Sequence, residues 1–318
     1  MATGIKRTKL QVSLRWLLIV FVLLQIPFAY VYYVRSRMTG EQSALSQLHS
    51  DRGSTHRGTP PRTNDGVMDV SRTRAAQQFF ADWGLEEELY SVTHLVCRER
   101  TLDHRLEGAL SELPHLKELR FSACTFTPDA RLPPKQLREL ELLSFSGTNI
   151  HNAMLASIAS QPALKEVSLH SCSLPMSLMP FVALKNVEII SIVGSGSMQI
   201  TDWSFLSELQ QLTSLQIHWQ SDVGAIIECL PPSVDRFRAI ACHLDKMPQL
   251  APDREFGLEE IELSLLESEP PSSEVVETLC RVLLHHCPKM KVVRLSNTNP
   301  TMQKRLKLAY PKVNFRFL

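Results

Sequence analysis

One spacing of apolar and polar positions marks the chain from residue 92 onward, and "LKELRFSACTF" (residues 116–126) shows it clearly. Numbered from its first residue, this segment has apolar side chains at positions 1, 4, 6, 9 and 11 and polar ones at positions 2, 3, 5, 7 and 10. Alternation around positions 4 and 6 is the two-residue period of a strand with one buried face. We therefore predict a short strand whose positions 1, 4 and 6 face the core, while positions 3, 5 and 7 face away from it.

The same pattern recurs at a nearly constant distance along the chain. It starts at residues 92, 116, 140, 164, 187, 212, 234, 258 and 290, so that successive starts lie 24, 24, 24, 23, 25, 22, 24 and 32 residues apart. A steady period of this size is typical of solenoids, in which each repeat contacts only its neighbours. We expect these repeats to stack with their strands side by side.

This spacing resembles the leucine-rich repeat, whose consensus is L-x-x-L-x-L-x-x-N/C-x-L. The resemblance covers residues 92–318 and implies an α/β fold, a leucine-rich-repeat solenoid with a curved parallel sheet. It also implies that position 9 turns inward and usually holds a buried Asn or Cys. Cys or a small polar residue occupies that position in most repeats: Cys124, Thr148, Cys172, Ser195, Cys242 and Thr298. Arg100, Gln220 and Leu266 depart from the pattern.

The segments that connect the strands differ in their predicted structure. Residues 151–163 and 202–212 have the composition of short helices, whereas residues 127–136 contain too much proline for one. The sequence therefore predicts a mixed second side of the solenoid.

The last part of the chain predicts a longer helix and a closing unit. A helix within residues 272–289, with Ser272 or Ser273 as its N-cap, accounts for the 32-residue interval. Residues 301–310 and 312–318 then predict a helix and an edge strand that cover the end of the stack.

A long apolar segment lies near the N-terminus. Residues 16–34 contain no charged side chain, and as a helix they would be about 28 Å long, close to the roughly 30 Å hydrocarbon core of a bilayer. Trp16 at one end and Tyr33 at the other suit the two membrane interfaces. We predict a transmembrane signal anchor, and the alternative is a signal peptide cleaved after Ala29, which would give a secreted protein.

The charges around this segment predict its orientation. Basic residues stand on both sides of it, with Lys6, Arg7, Lys9 and Arg15 before it and Arg35 and Arg37 after it. The small excess before the segment favours a single-pass protein with a cytoplasmic N-terminus and an extracytoplasmic repeat domain. The segment also resembles the anchor of bacterial membrane proteins that carry such repeats. The opposite orientation would make the chain a cytosol-facing adaptor.

The sequence divides into five parts. Residues 1–15 form a short basic segment and residues 16–34 the anchor. Residues 35–74 are rich in Ser, Thr, Gly, Pro and Arg and predict a disordered linker. Residues 75–91 have helical spacing and predict a capping helix ahead of the repeat domain, residues 92–318.

Composition narrows the class of partner. The 318 residues are 44% hydrophobic and 21% charged, which suits a chain with a core, and the net charge is +1. Such a small net charge gives no overall field that would attract nucleic acid. We expect a protein or ligand partner and no nucleic acid.

Residues that could carry chemistry are few. No P-loop, G-x-S-x-G or H-E-x-x-H motif occurs. His285, His286 and Cys287 are residue types that bind zinc, but neighbours on a helix point in different directions. The seven cysteines are expected mainly in the core, because three of them occupy position 9 and Cys97 occupies the inward position 6. The alternative is a disulfide such as Cys280 with Cys287, which lie too far apart on one helix to bridge directly. We expect no catalysis and no cofactor, and the alternative is a metal-binding protein or enzyme that uses those three adjacent residues.

The resemblance places binding on the concave face formed by positions 3, 5 and 7. Two groups of candidate residues lie there, an aliphatic group of Leu142, Ile189 and Val193 and a charged group of Arg236, Arg238, Glu260 and Glu262. The aliphatic group predicts a partner contact, against the alternative that single exposed aliphatic residues are ordinary. The charged group should pair across adjacent strands, either as a docking site or as solvated ion pairs of little energy.

Overall fold

The fold is defined for most of the repeat region. The computed structural model describes residues 93–99, 101–133, 136–194, 200–219, 222–244, 246–265, 273–296 and 298–317. Outside these residues lie the predicted segments 1–15, 16–34, 35–74 and 75–91, together with Arg100, Ser195, Gln220, Leu266 and Ser272. Within the described ranges, no helix is both long enough and apolar enough to cross a bilayer.

A long parallel sheet is the main element of the described residues. The strands are β1 His94–Arg98, β2 Thr101–Leu102, β3 Glu118–Ser122, β4 Thr125–Phe126, β5 Leu142–Ser146, β6 Glu166–His170, β7 Ile189–Val193, β8 Ser214–His218, β9 Arg236–Cys242, β10 Glu260–Leu265, β11 Val292–Leu295 and β12 Asn314–Phe317. Ten of these described strands form one sheet in the order β1-β3-β5-β6-β7-β8-β9-β10-β11-β12, and β2 pairs with β4. This sheet confirms the predicted stack of parallel strands.

Core positions of successive repeats stand side by side in the sheet. Leu119 aligns with Leu143, and Phe121 aligns with Phe145. All four side chains are 0–1% exposed, and the two phenyl rings stack with their centroids 5.1 Å apart. Burial of each such side chain stabilises the fold by about 1.5–3 kcal/mol. The predicted inward direction of positions 4 and 6 is therefore confirmed.

Five of the described strands are followed directly by a residue with a left-handed backbone, and a sixth such residue, Ala241, lies near the end of β9. Position 8 has a φ between +50° and +61° in six repeats, at Glu99, Ala123, Gly147, Ser171, Trp219 and Ala241. Residues with a Cβ atom adopt this region at a cost of roughly 1–2 kcal/mol, so the surrounding repeat must hold them there. The position-9 side chain that follows is directed into the core.

The position-9 side chains fill the space under these turns. Cys124, Thr148, Cys172 and Cys242 are 0–3% exposed, whereas Thr298 is half-buried. The Cys124 thiol donates to the Cys97 carbonyl oxygen at 3.3 Å, and Cys172 Sγ lies 3.3 Å from Thr148 Oγ1. These contacts join adjacent repeats through polar groups that the turn leaves inside the core.

Several of the connecting segments form short helices on the other side of the sheet. In the described residues the α-helices are α1 Arg105–Ser111, α2 Asn152–Ala159, α3 Val223–Cys229, α4 Ser273–His286 and α5 Pro300–Ala309, and the 3₁₀ helices are Met179–Ala183 and Ser204–Glu208. The predicted helix in residues 151–163 is confirmed, and the one in residues 202–212 is a single 3₁₀ helix. His151 caps α2, because its Nδ1 accepts from the Met154 N–H at 3.2 Å.

The C-terminal end of the stack is closed by α4, α5 and β12. The strand β12 pairs with β11 in parallel, which confirms the predicted closing helix and edge strand. Glu277 of α4 is buried and binds Arg281 at 2.8 Å and Arg305 of α5 at 3.3 Å. This carboxylate therefore joins the last two helices.

Candidate recognition face

The side chains at positions 3, 5 and 7 form the outer surface of the sheet, which we term the outward face. Nearly all of them are half-buried or exposed in the described strands, as the alternation in each strand predicts. Ser168 and Glu262 are exceptions, at 8% and 7% exposure. Because the strands pair in continuous register, the face consists of three rows of side chains that cross the sheet.

The C-terminal end of the outward face is charged and internally paired. Arg238 Nε lies 3.0 Å from Glu262 Oε2, and Arg294 Nη1 lies 3.7 Å from the same oxygen. Arg294 also pairs with Glu260. The exposed Arg236 is aligned with Glu260 but pairs with the neighbouring Asp235, at 3.4 Å.

The predicted charged group is thus brought together only in part. The alignment of Arg236 with Glu260 and of Arg238 with Glu262 is as expected, but only the second pair forms a salt bridge. The reason is Arg294 in the next strand, which binds Glu260 from the other side. Arg294 occupies position 5 of its repeat and so belongs to the outward rows, but the sequence does not show which carboxylate it binds.

The middle of the outward face carries little charge. Serines occupy position 5 in three consecutive strands, and these form the central serine row of Ser144, Ser168 and Ser191. His170 Nε2 lies 3.3 Å from Ser191 Oγ, and His218 Nε2 lies 2.8 Å from Gln216 Nε2. The serine side chains are short, so they add little height to the outward face at this point, and two of their hydroxyl groups already contact Glu166 and His170.

His218 lies at the boundary between the serine row and the charged end. Partial burial lowers the pKa of its imidazole, and the proximity of Arg238 and His170 lowers it further. Glu262 acts in the opposite direction, with the smallest effect of the four. The side chain is therefore held neutral at pH 7 and contributes no positive charge to the middle of the face.

The aliphatic candidates lie on the outward face but do not form one patch. Ile189 is 38% exposed, and Leu142 and Val193 are half-buried. Leu142 and Ile189 occupy position 3 of β5 and β7, with Glu166 of β6 aligned between them. Val193 lies at the other end of β7, beside His170 and His218.

Glu166 differs from the other outward carboxylates in its surroundings. Ser168 Oγ donates to Glu166 Oε1 at 3.4 Å, and in the described part of the chain no Lys, Arg or His forms an ion pair with Glu166. Glu118 pairs with Arg120 and with His94, the latter at 3.3 Å. The sequence alone does not distinguish Glu166 from the other outward carboxylates, since pairing depends on which charges the neighbouring strands supply.

A shallow depression borders this region at the start of strands β5 to β7. Its volume is about 250 Å³, and it is lined by Glu141, Ala163, Lys165, Asn186, Glu188 and Gln211. Lys165 Nζ lies 3.4 Å from Glu141 Oε1. Together with Glu166, the side chains here comprise three carboxylates and one ammonium group.

The three adjacent residues considered for metal binding have other contacts. His286 is buried, and its Nδ1 lies 2.7 Å from the Arg254 carbonyl oxygen, whereas His285 is exposed. Burial raises the pKa of the Cys287 thiol to about 12, so it is protonated at neutral pH. Within the described residues, no three His, Cys, Asp or Glu side chains are placed to hold a metal ion together.

All seven cysteines are free thiols. Cys280 is buried in α4, and burial, with a smaller effect of the Glu277 charge, raises its pKa to about 12. Cys229 is half-buried, and partial burial is likewise the main cause that raises its pKa. Cys280 and Cys287 are not joined.

Comparisons with known proteins find similarity to solved structures at low sequence identity. No family model and no curated protein matches the chain. Among solved structures, an internalin C2 of Listeria monocytogenes str. 4b F2365 is similar at 17% identity and a TM-score of 0.41, over 71% of this chain and 81% of that one. An internalin (inlF) of the same strain is similar at 14% identity and a TM-score of 0.38, over 73% of this chain and 81% of that one. The chain itself, by its repeat spacing and its parallel sheet, is built as a leucine-rich-repeat solenoid.

Proposed function

We propose that the chain is a membrane-anchored recognition protein that binds a protein partner on the outward face of its sheet. One observation carries this proposal: the described strands fill the core with positions 4 and 6 and leave three continuous rows of side chains on an accessible face. Solenoids expose such faces over many repeats, which provides a large area for a partner.

The low charge at the centre of this face, where Glu166 is the one Asp, Glu, Lys or Arg at the outward positions of β5 to β7, supports protein recognition. The cores of protein interfaces are depleted of charged residues and are surrounded by a polar rim. Here the serine row lies between two groups of paired charges, Glu118 with Arg120 at one end and Arg238 with Glu262 at the other. The face therefore has the charge distribution of an interface core and its rim.

Crosslinking from the outward face tests this proposal. A photoreactive amino acid is placed at Ser191 in the serine row, or at the exposed Ala156 on α2 as a matched control on the other side. After irradiation in cells, we expect Ser191 to give a discrete crosslinked protein and Ala156 to give none. Equal products from both positions, or products from Ala156 alone, would place recognition elsewhere.

We also propose that residues 16–34 anchor the chain in the membrane with the repeats on the outer side. The uncharged length of this segment and the basic residues before it support the proposal. A reporter active on only one side of the membrane, fused to the C-terminus, tests it in cells. Activity on the outer side agrees with the proposal, whereas activity in the cytosol would favour the adaptor alternative.

A further inference from the structure

We infer that the partner presents a basic side chain, Lys or Arg, to Glu166, and that its aliphatic stem packs on Leu142 and Ile189. This inference rests on the proposed function, because it assumes that the outward face binds a protein. It names the chemistry that a partner segment must have at one defined point of the face.

The first step is the pairing of carboxylates on the outward face. Glu260 and Glu262 are bound by Arg294 and Arg238, so their charges are already compensated within the sheet. Glu166 has only the Ser168 hydroxyl at 3.4 Å, and among the described residues it has no cationic partner. A carboxylate of this kind attracts an external cation more strongly than one that is already paired.

The second step is the position of Glu166 between two aliphatic side chains. The register aligns it with Leu142 on one side and Ile189 on the other, and adjacent strands lie about 4.8 Å apart. Lys and Arg side chains have apolar stems that pack on aliphatic surface while their charged ends reach polar groups. Leu142 and Ile189 therefore suit the apolar stem of a basic residue, and Glu166 suits its charged end.

The third step is the local charge at the start of these strands. Glu141 and Glu188 line the adjacent depression, and Lys165, the one cation among its lining residues, is held by Glu141 at 3.4 Å. The excess of carboxylates gives this part of the face a negative field. The positively charged end of a Lys or Arg side chain of the partner is complementary to this field.

The fourth step is the space beside this point. The serine row runs next to Glu166, and its small side chains allow the backbone of a polypeptide segment to lie close to the sheet. Serine hydroxyls can donate to or accept from peptide groups. A protein segment that carries one Lys or Arg among uncharged residues is the occupant that matches the whole region.

The test uses random short peptides displayed in a library and selected on the purified full-length chain in mild detergent. Peptides that also bind the Leu142→Ser/Ile189→Ser double variant are removed. We expect the remaining peptides to be enriched in Lys and Arg. Synthetic copies should bind Glu166→Gln at least about tenfold more weakly, because the charge-assisted contact is lost.

The control variant is Glu112→Gln, which removes an exposed carboxylate next to α1 on the other side of the molecule. Its affinity for the same peptides should equal that of the unchanged chain. The reversed charge in Glu166→Lys should instead select acidic peptides. Thermal melting of every variant establishes that each is folded.

Two negative outcomes separate this inference from the proposed function. Peptides that need Leu142 and Ile189 but bind Glu166→Gln with unchanged affinity would overturn the basic-residue inference and leave recognition by the face in place. A library in which no peptide distinguishes the chain from the double variant would overturn both.

Discussion

At the scale of single residues, the left-handed residue at position 8 of six described repeats shows how a repeat holds an unfavourable backbone. Six described repeats place position 8 in the left-handed region, yet Gly147 is the one glycine among them. Ala123 and Trp219 adopt the same conformation with a Cβ atom present. The packing of the repeat, rather than the local sequence, therefore fixes this turn.

The glycine at this position gives a prediction about backbone strain. Gly147 has φ +60°, and the nearest atoms to an added Cβ would be those of Ala123 at 3.9 Å, so an alanine there has space. Gly147→Ala should reduce the free energy of unfolding by about 1 kcal/mol, because only the left-handed backbone opposes it. Urea denaturation measures the change.

Another glycine provides a matched control for the same substitution. Gly108 lies within α1, and an added Cβ there would meet no atom within 4 Å. Gly108→Ala should increase the free energy of unfolding by about 0.5–1 kcal/mol through higher helix propensity. Equal effects of the two substitutions would contradict the role of the left-handed turn.

His218 gives a prediction about pH. Its pKa is lowered in the folded chain, mainly by burial, so the unfolded chain takes up a proton at this residue at a higher pH than the folded chain does. Its contribution to stability is therefore present above about pH 6.5 and declines as the pH falls below that value. When the pH is lowered from about 7 to 5.5, the melting temperature of His218→Gln should fall less than that of the unchanged chain. Parallel pH profiles of the two proteins would contradict this.

At the scale of elements, the sequence predicted the strands because their two faces differ in chemistry. Leu119 and Phe121 alternate with Glu118 and Arg120, and the structure buries the first pair on the inner side. The helices between the strands were less predictable, since short returns such as Ser204–Glu208 are set by the space between repeats. The strands can therefore be predicted from the periodic burial of their side chains. The short helices are less certain, because packing between repeats determines their conformation.

The outward rows could be assigned from the sequence, but the interactions within them could not. Position in the repeat placed Glu166 and Arg294 on the face. Whether a charge is paired depends on side-chain directions across three strands, as the binding of Glu260 by Arg294 instead of Arg236 shows. The left-handed turns were also missed, because Ala, Ser, Glu and Trp give no sign of them in the sequence.

The two faces of a strand should respond differently to substitution. Changing Leu142, Ile189 and Val193 together to Ser should leave the melting temperature nearly unchanged, since all three lie on the outward face. Leu169→Ala, in contrast, should cost about 2–5 kcal/mol, because that side chain is fully buried. Thermal and urea denaturation of both variants provide the comparison. A collapse of the triple variant would mean that these strands are shifted by one residue.

At the scale of the whole molecule, each repeat is stabilised by its contacts with its neighbours. The last repeat lacks one neighbour, so its apolar surface must be covered by another element. The buried Glu277 links α4 to α5 through Arg281 and Arg305. Glu277→Gln should reduce the free energy of unfolding by about 1–2 kcal/mol, because two charge-assisted contacts become weaker. Amide hydrogen exchange should rise first in β11 and β12, which lie at that end of the sheet.

The same helix supplies the control for this prediction. Glu274 is exposed in the first turn of α4, and Glu274→Gln should change stability by less than about 0.5 kcal/mol. Uniform exchange across the sheet in Glu277→Gln would contradict a local role in closing the stack.

The common register of β3, β5 and β6 affects how such a gene can change by duplication and deletion. Residues 140–163 make up one full period of 24 residues, and their removal would bring Phe121 beside Leu169 and Glu118 beside Glu166. Phe121 and Leu169 are both buried on the inner side, so the core of the shortened sheet would stay continuous, whereas the two carboxylates would repel each other on the outward face. Unequal recombination can therefore lengthen or shorten the binding surface in whole rows, while point mutations alter the chemistry within each row.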